Sequence, residues 1–116
     1  MGKKILIIDD QPDILDVLTE ILEMLDHEVV AITSGSSLNK TVHPQDFDVI
    51  ITDYQMPDMT GVEIAKKINC TCPGKKVYII SGYHQLLSDK KMEEYGVSGI
   101  LNKPFELEEL KKVVDG

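Results

Sequence analysis

The 116-residue chain has no arginine: all twelve of its basic residues are lysine, set against 20 aspartates and glutamates, for a formal net charge of −8. An acidic surface without guanidinium forks argues against nucleic-acid binding by this chain. Cysteine is scarce too. Cys70 and Cys72 stand one residue apart in Asn69-Cys70-Thr71-Cys72-Pro73, a spacing poor for an unstrained disulfide and too few ligands for a zinc site. Free thiols in a reducing compartment are expected. Long apolar runs are missing. After Met1-Gly2-Lys3-Lys4 only Ile5 to Ile8 precede Asp9, too short for a signal peptide, and no run approaches membrane-spanning length. Leu6 stands where a myristoylation signal needs serine or threonine. A cytoplasmic protein without membrane contact is expected. Repeats, low-complexity tracts and linkers are also lacking, so residues 1–116 are expected to form one domain.

What the chain does contain is a series of short apolar runs: Ile5 to Ile8, Val29 to Ile32, Val49 to Ile51, Val77 to Ile80 and Ile100 to Leu101, with room for a helix in each gap. Such β-branched runs read as strands buried on both faces. Strands alternating with helices imply a parallel sheet joined by right-handed crossovers. The expected fold class is α/β, doubly wound, with a five-stranded parallel sheet and helices on both faces.

The gaps differ in helical signal. In the first, Ile14, Leu18, Ile21 and Leu25 form one stripe, Asp16, Glu20 and Glu23 point elsewhere, and Pro12 suits the first turn. The second, Ser34 to Pro44, offers Leu38 and Val42 as an i,i+4 pair among poor helix formers, predicting a short or frayed helix. The third begins near Gly61, carries Val62, Ile64, Ala65 and Ile68, and stops before Pro73-Gly74. The fourth, His84 to Tyr95, has a thin stripe of Leu87 and Met92 and ends at Gly96. A fifth helix after Pro104 places Leu107, Leu110 and Val114 on one face, with glutamates early and lysines late as the helix dipole favours.

In a parallel sheet the carboxyl ends of the strands share one edge, where open α/β folds collect their chemistry. Strand one delivers Asp9 and Asp10 there, strand three Asp53, strand four Ser81-Gly82 and strand five Lys103-Pro104. Singly, each reads as an ordinary turn, cap or surface residue. Together they bring carboxylates, a hydroxyl and an amine to one crevice. Two unit charges about 5 Å apart at an effective dielectric of about 20 repel by roughly 3 kcal/mol. Either the carboxylate pKa values rise or a cation sits among them, and hard oxygen ligands with room for water suit Mg²⁺, with Mn²⁺ as a substitute. The formal charges of the aspartates, the ion and Lys103 then cancel. A carboxylate so escorted can act as a nucleophile toward phosphorus.

These residues resemble a family, the phosphoacceptor receiver domain of two-component response regulators. The likeness runs from Ile5-Leu6-Ile7-Ile8-Asp9-Asp10 through Asp53-Tyr54-Gln55-Met56-Pro57-Asp58-Met59-Thr60-Gly61 and Ile80-Ser81-Gly82 to Leu101-Asn102-Lys103-Pro104-Phe105. It implies the strand order 2-1-3-4-5 of flavodoxin-like folds and phosphorylation of Asp53 by the phosphohistidine of a sensor histidine kinase or phosphotransfer protein, or by a small acyl phosphate. It implies that Asp10, Asp53 and the Gln55 backbone carbonyl ligate Mg²⁺ and that Asp9 acts mainly through water. Ser81 and Lys103 would meet the phosphoryl group, while Gln55 and Tyr83 would tune its lifetime. The response would be a shift of the loop after strand four, read on the face of helix four, strand five and helix five by a downstream protein or attached output domain. Such a domain is a switch that catalyses its own phosphorylation and slow dephosphorylation rather than an enzyme with an external substrate. It works as a monomer or as a phosphorylation-promoted dimer.

One position departs from the family pattern. Three residues before Lys103, where an aromatic is common, stands Ile100; transmission then relies on Ser81 and its loop alone, or on Tyr83. Ile100 leaves open the alternative of a receiver-like interaction module that is never phosphorylated. Two rivals fit poorly. Asp9-Asp10-Gln11-Pro12 is the opposite of a glycine-rich cradle for flavin or nucleotide phosphate. A phosphomonoester hydrolase needs a second carboxylate two residues beyond its nucleophile, and Gln55 stands there.

Overall fold

The computed structural model describes residues 2–38, 40, 42–82, 89–102 and 106–115. Five strands, β1 (Lys4–Ile8), β2 (Glu28–Ile32), β3 (Val49–Asp53), β4 (Lys76–Ser81) and β5 (Gly99–Asn102), form one sheet in the order β2-β1-β3-β4-β5. All neighbouring pairs are parallel. Each apolar run of the sequence became a strand and gained flanking residues, so Asp53 is the last residue of β3 rather than the first beyond it.

Because successive side chains of a strand point to opposite faces, the runs supply two cores. Leu6, Ile8, Ile50, Val77 and Ile79 pack with Ile64, Ala65 and Ile68 of α2 (Gly61–Thr71), joined by the half-buried Met92 and Tyr95 of α3 (Asp89–Tyr95). Ile5, Ile7, Val49, Ile51, Ile80 and Leu101 pack on the other face with Leu15, Leu18 and Leu22 of α1 (Pro12–Met24) and Leu110 and Val114 of α4 (Leu107–Asp115). Helices therefore cover both faces, and the central strands β1 and β3 are the most completely buried.

Several helix expectations changed in detail. The buried stripe of α1 is Leu15, Leu18 and Leu22, with Ile14 and Ile21 at its margins, one position round from the expected Ile14-Leu18-Ile21-Leu25. In α4, Leu110 and Val114 are buried but Leu107, the first residue of the helix, is 48% exposed. The second gap forms no α-helix among its described residues. It holds two short 3₁₀ turns, Gly35–Ser37 and Pro44–Asp46. The Ser34 hydroxyl accepts the Ser36 N–H at 3.1 Å, a local bond that competes with helix formation. Leu38 and Val42 still meet, as an isolated strand-like bridge rather than a helical pair, and both pack on the first core. In the fourth gap, residues 84–88, including Leu87, lie outside the described residues; α3 starts at Asp89.

Two helices end in the same way. After α3, Gly96 takes φ +79°, its N–H reaches Glu93 O, and Val97 N–H reaches Met92 O at 2.8 Å. After α1, Asp26 takes φ +68°, its N–H reaches Glu23 O, and His27 N–H reaches Leu22 O at 3.1 Å. Both are Schellman stops, the second with a carboxylate residue where glycine is usual. Among the described residues no helix is long and apolar enough to cross a membrane.

Candidate functional site

The carboxyl edge of the sheet is built from strand ends. Asp9 follows β1, is wholly buried, and extends the ladder by donating its N–H to Ile32 O at 3.1 Å. Its Oδ1 accepts the Gln11 N–H at 2.9 Å, an Asx-type bond that turns the chain into Pro12 and α1. Asp10, half-buried, faces the cleft beyond.

Asp53 ends β3 paired in register with Ile80 of β4, and Tyr54 continues the pairing by donating to Ile80 O at 2.9 Å. The chain then loops back sharply. Gly61 N–H donates to Tyr54 O at 2.6 Å, and Gln55 and Thr60 form an antiparallel bridge. Thr60 closes the loop as the N-cap of α2: its hydroxyl accepts the Glu63 N–H at 3.2 Å while Glu63 Oε1 accepts the Thr60 N–H at 3.2 Å. This reciprocal box satisfies donors that a helix start leaves without partners. At the loop's tip, Asp58 accepts a hydrogen bond from the Ser34 hydroxyl, which with nearby backbone N–H groups holds the carboxyl below its usual range.

Ser81 ends β4 at 2% exposure, with exposed Gly82 following. Its register partner is Asn102, the last residue of β5, whose Oδ1 is buried with no hydrogen-bond donor among the described residues. Ile100, half-buried, pairs with Ile79.

These elements enclose a cleft of about 620 Å³ lined by Asp10, Asp53, Gln55, Ser81 and Gly82, among others. Asp9, Asp10 and Asp53 each bring a carboxylate oxygen within 4.8 Å of the others. The structure thus gathers Asp9, Asp10, Asp53, Gln55 and Ser81 at one edge; Tyr83 and Lys103 lie outside the described residues. Sequence reasoning passed over the Ser34–Asp58 bond, whose partners are 24 residues apart, and the buried oxygen of Asn102. No local pattern announces either. Gly61 opening a helix was the visible trace of the tight loop.

The family model for the response regulator receiver domain matches residues 5–115. The chain belongs to that family. The receiver domain is 37% identical, over 96% of its length, to the DNA-binding transcriptional regulator NtrC of Azospirillum brasilense, of which it spans only 23%. It is 28% identical to sporulation initiation phosphotransferase F of Bacillus subtilis, covering 98% of the receiver domain and 92% of that protein. Among solved structures, a response regulator receiver domain protein from Clostridium thermocellum superposes with a TM-score of 0.86 at 28% identity, covering 99% of this chain and 92% of that one.

Proposed function

We propose that this receiver domain, residues 1–116, is a phosphorylation-dependent switch that accepts a phosphoryl group on Asp53. The observation that carries the reading is the meeting of Asp9, Asp10 and Asp53 oxygens within 4.8 Å beside a cleft that Ser81 also lines. An oxygen-only donor set, one member of it wholly buried, fits a small hard dication: Mg²⁺, or Mn²⁺ in its place. Asp10, Asp53 and the Gln55 backbone carbonyl would hold the ion directly, and Asp9 through water. When bound, the ion offsets carboxylate charge and polarises a phosphoryl oxygen.

An Asp53 oxygen attacks the phosphorus of a phosphohistidine on a sensor histidine kinase or phosphotransfer protein, or of a small acyl phosphate. The new O–P bond forms as the P–N bond, or the acyl P–O bond, breaks. The departing imidazole keeps the bonding pair and takes up a proton, whereas a departing carboxylate needs none. Ser81 donates its hydroxyl to a phosphoryl oxygen and Lys103 pairs with another. Gln55 cannot shuttle a proton, so no external substrate is turned over, and with Tyr83 it sets how long the acyl phosphate lasts. The added charge and acceptors shift the loop after β4. A downstream protein or attached output domain reads the change on the face of α3, β5 and α4, which correspond to helix four, strand five and helix five of the gap numbering. The domain works in the cytoplasm, without nucleic-acid or membrane contacts of its own, as a monomer or phosphorylation-promoted dimer.

Acetyl phosphate with Mg²⁺ should add one phosphoryl group by intact mass, and Asp53→Ala should abolish it. No adduct under conditions that keep the chain folded would instead favour the interaction-module reading that Ile100 left open.

A further inference from the structure

Ser81 and Asn102 end neighbouring strands as register partners. Partners in adjacent parallel strands point to the same face of the sheet. That face is the one covered by α2 and α3: Ile79, two residues before Ser81, lies in the first core, while the intervening pair Ile80 and Leu101 lies in the second. The Asn102 amide and the Ser81 hydroxyl therefore stand side by side at the carboxyl edge, next to the cleft. Asn102 is also the one residue of β5 (Gly99, Ile100, Leu101, Asn102) with a polar side chain.

The Asn102 oxygen is in an unfavourable position. It is buried and, among the described residues, has no donor. An acceptor removed from water without a replacement donor raises the free energy of the arrangement that contains it. Any rearrangement of the adjoining end of β4 that brings a donor to this oxygen recovers that cost. Among the described residues, nothing lies within 4 Å of where a Cβ on Gly82 would stand.

We infer that Asn102 is a positioning residue for Ser81: its donorless buried oxygen disfavours the present arrangement of the β4 end and is satisfied when that end rearranges around a phosphoryl group. The inference rests on Asp53 being the phosphoacceptor. A ligand that favours one of two arrangements draws its apparent affinity partly from how costly the other one is. Removing the oxygen then has two effects of opposite sign. It stabilises the unphosphorylated protein and weakens its response to a phosphoryl mimic.

The test compares the chain with Asn102→Leu, close in volume but apolar, using beryllofluoride with Mg²⁺ as the probe and fluorine NMR titration with thermal melting as readouts. The expected result is a higher melting temperature without the probe and an apparent beryllofluoride affinity weaker by about fivefold or more. An unchanged affinity, or a weaker one accompanied by a lower melting temperature, overturns the inference, because a side chain that merely packs would behave so. Should leucine prevent folding, Asn102→Ala removes the same oxygen without added bulk, and the affinity change alone decides. Failure of the unmodified folded chain to form any adduct would overturn the Asp53 reading itself. A normal adduct in that chain with no effect of the variants would overturn only the role of Asn102.

Discussion

Gly61 approaches Asp53 so closely that a Cβ on the glycine would lie 2.7 Å from the Asp53 carbonyl oxygen and 3.1 Å from the Tyr54 Cα. The first turn of α2 is thus seated directly on the backbone that carries the site's central carboxylate. The capping box of Thr60 and Glu63 fixes that seat from the other side.

Gly61→Ala has no flexible side chain to push aside, only backbone. Overpacking of this kind costs about 1–3 kcal/mol. Urea unfolding should show a lower midpoint with an unchanged slope, and Mg²⁺ titration should show weaker binding because the Asp53 backbone is displaced.

Asp53→Asn removes one charge from three carboxylates whose oxygens lie within 4.8 Å of one another. Each repulsion relieved is worth roughly 3 kcal/mol at an effective dielectric of about 20, and less to the extent that solvent screens the half-buried Asp10 and Asp53. In EDTA the variant should melt at a higher temperature than the parent, and Mg²⁺ should narrow the gap by stabilising the parent more. A lower melting temperature in EDTA would count against carboxylate crowding.

Asp58 provides the pH test. The Ser34 hydroxyl, aided by backbone N–H groups, lowers its pKa from the ordinary 3.8. A depressed folded-state pKa contributes stability that is present above the unfolded value and is lost as pH falls through the folded one. The stability difference between the parent and Ser34→Ala should therefore be constant above about pH 5 and shrink below pH 4. Asp58 is exposed, so the difference should be small and weaken further with salt.

Asp26, at φ +68° after α1, occupies a left-handed position that glycine adopts without penalty. Asp26→Gly should stabilise the chain by about 0.5–1 kcal/mol, raising the melting temperature by a few degrees. The position is remote from the cleft, so Mg²⁺ affinity should not move.

The strands were readable because continuous β-branched runs have few ways to bury themselves other than in a sheet covered on both sides. The gathering of Asp9, Asp10, Asp53 and Ser81 followed from one topological fact, that parallel strands deliver their carboxyl ends to the same edge. Helix faces were less readable. Ile14, Leu15, Leu18, Ile21, Leu22 and Leu25 are all apolar, so α1 contains two overlapping stripes, and only packing against the sheet selects Leu15, Leu18 and Leu22.

By itself the sequence determined what depends on period and order: which segments form strands, which residues end them, and hence which side chains share an edge. Tertiary structure alone decided what depends on contacts between distant segments. The serine-rich stretch after β2 abandons its helix for local bonds and the Ser34–Asp58 tie, Gly61 must be glycine because the Asp53 carbonyl leaves no space for a Cβ, and the Asn102 oxygen is enclosed where no donor of the described residues reaches it. Each is a matter of ångström-scale distance between groups remote along the chain, and periodicity carries no record of such distances.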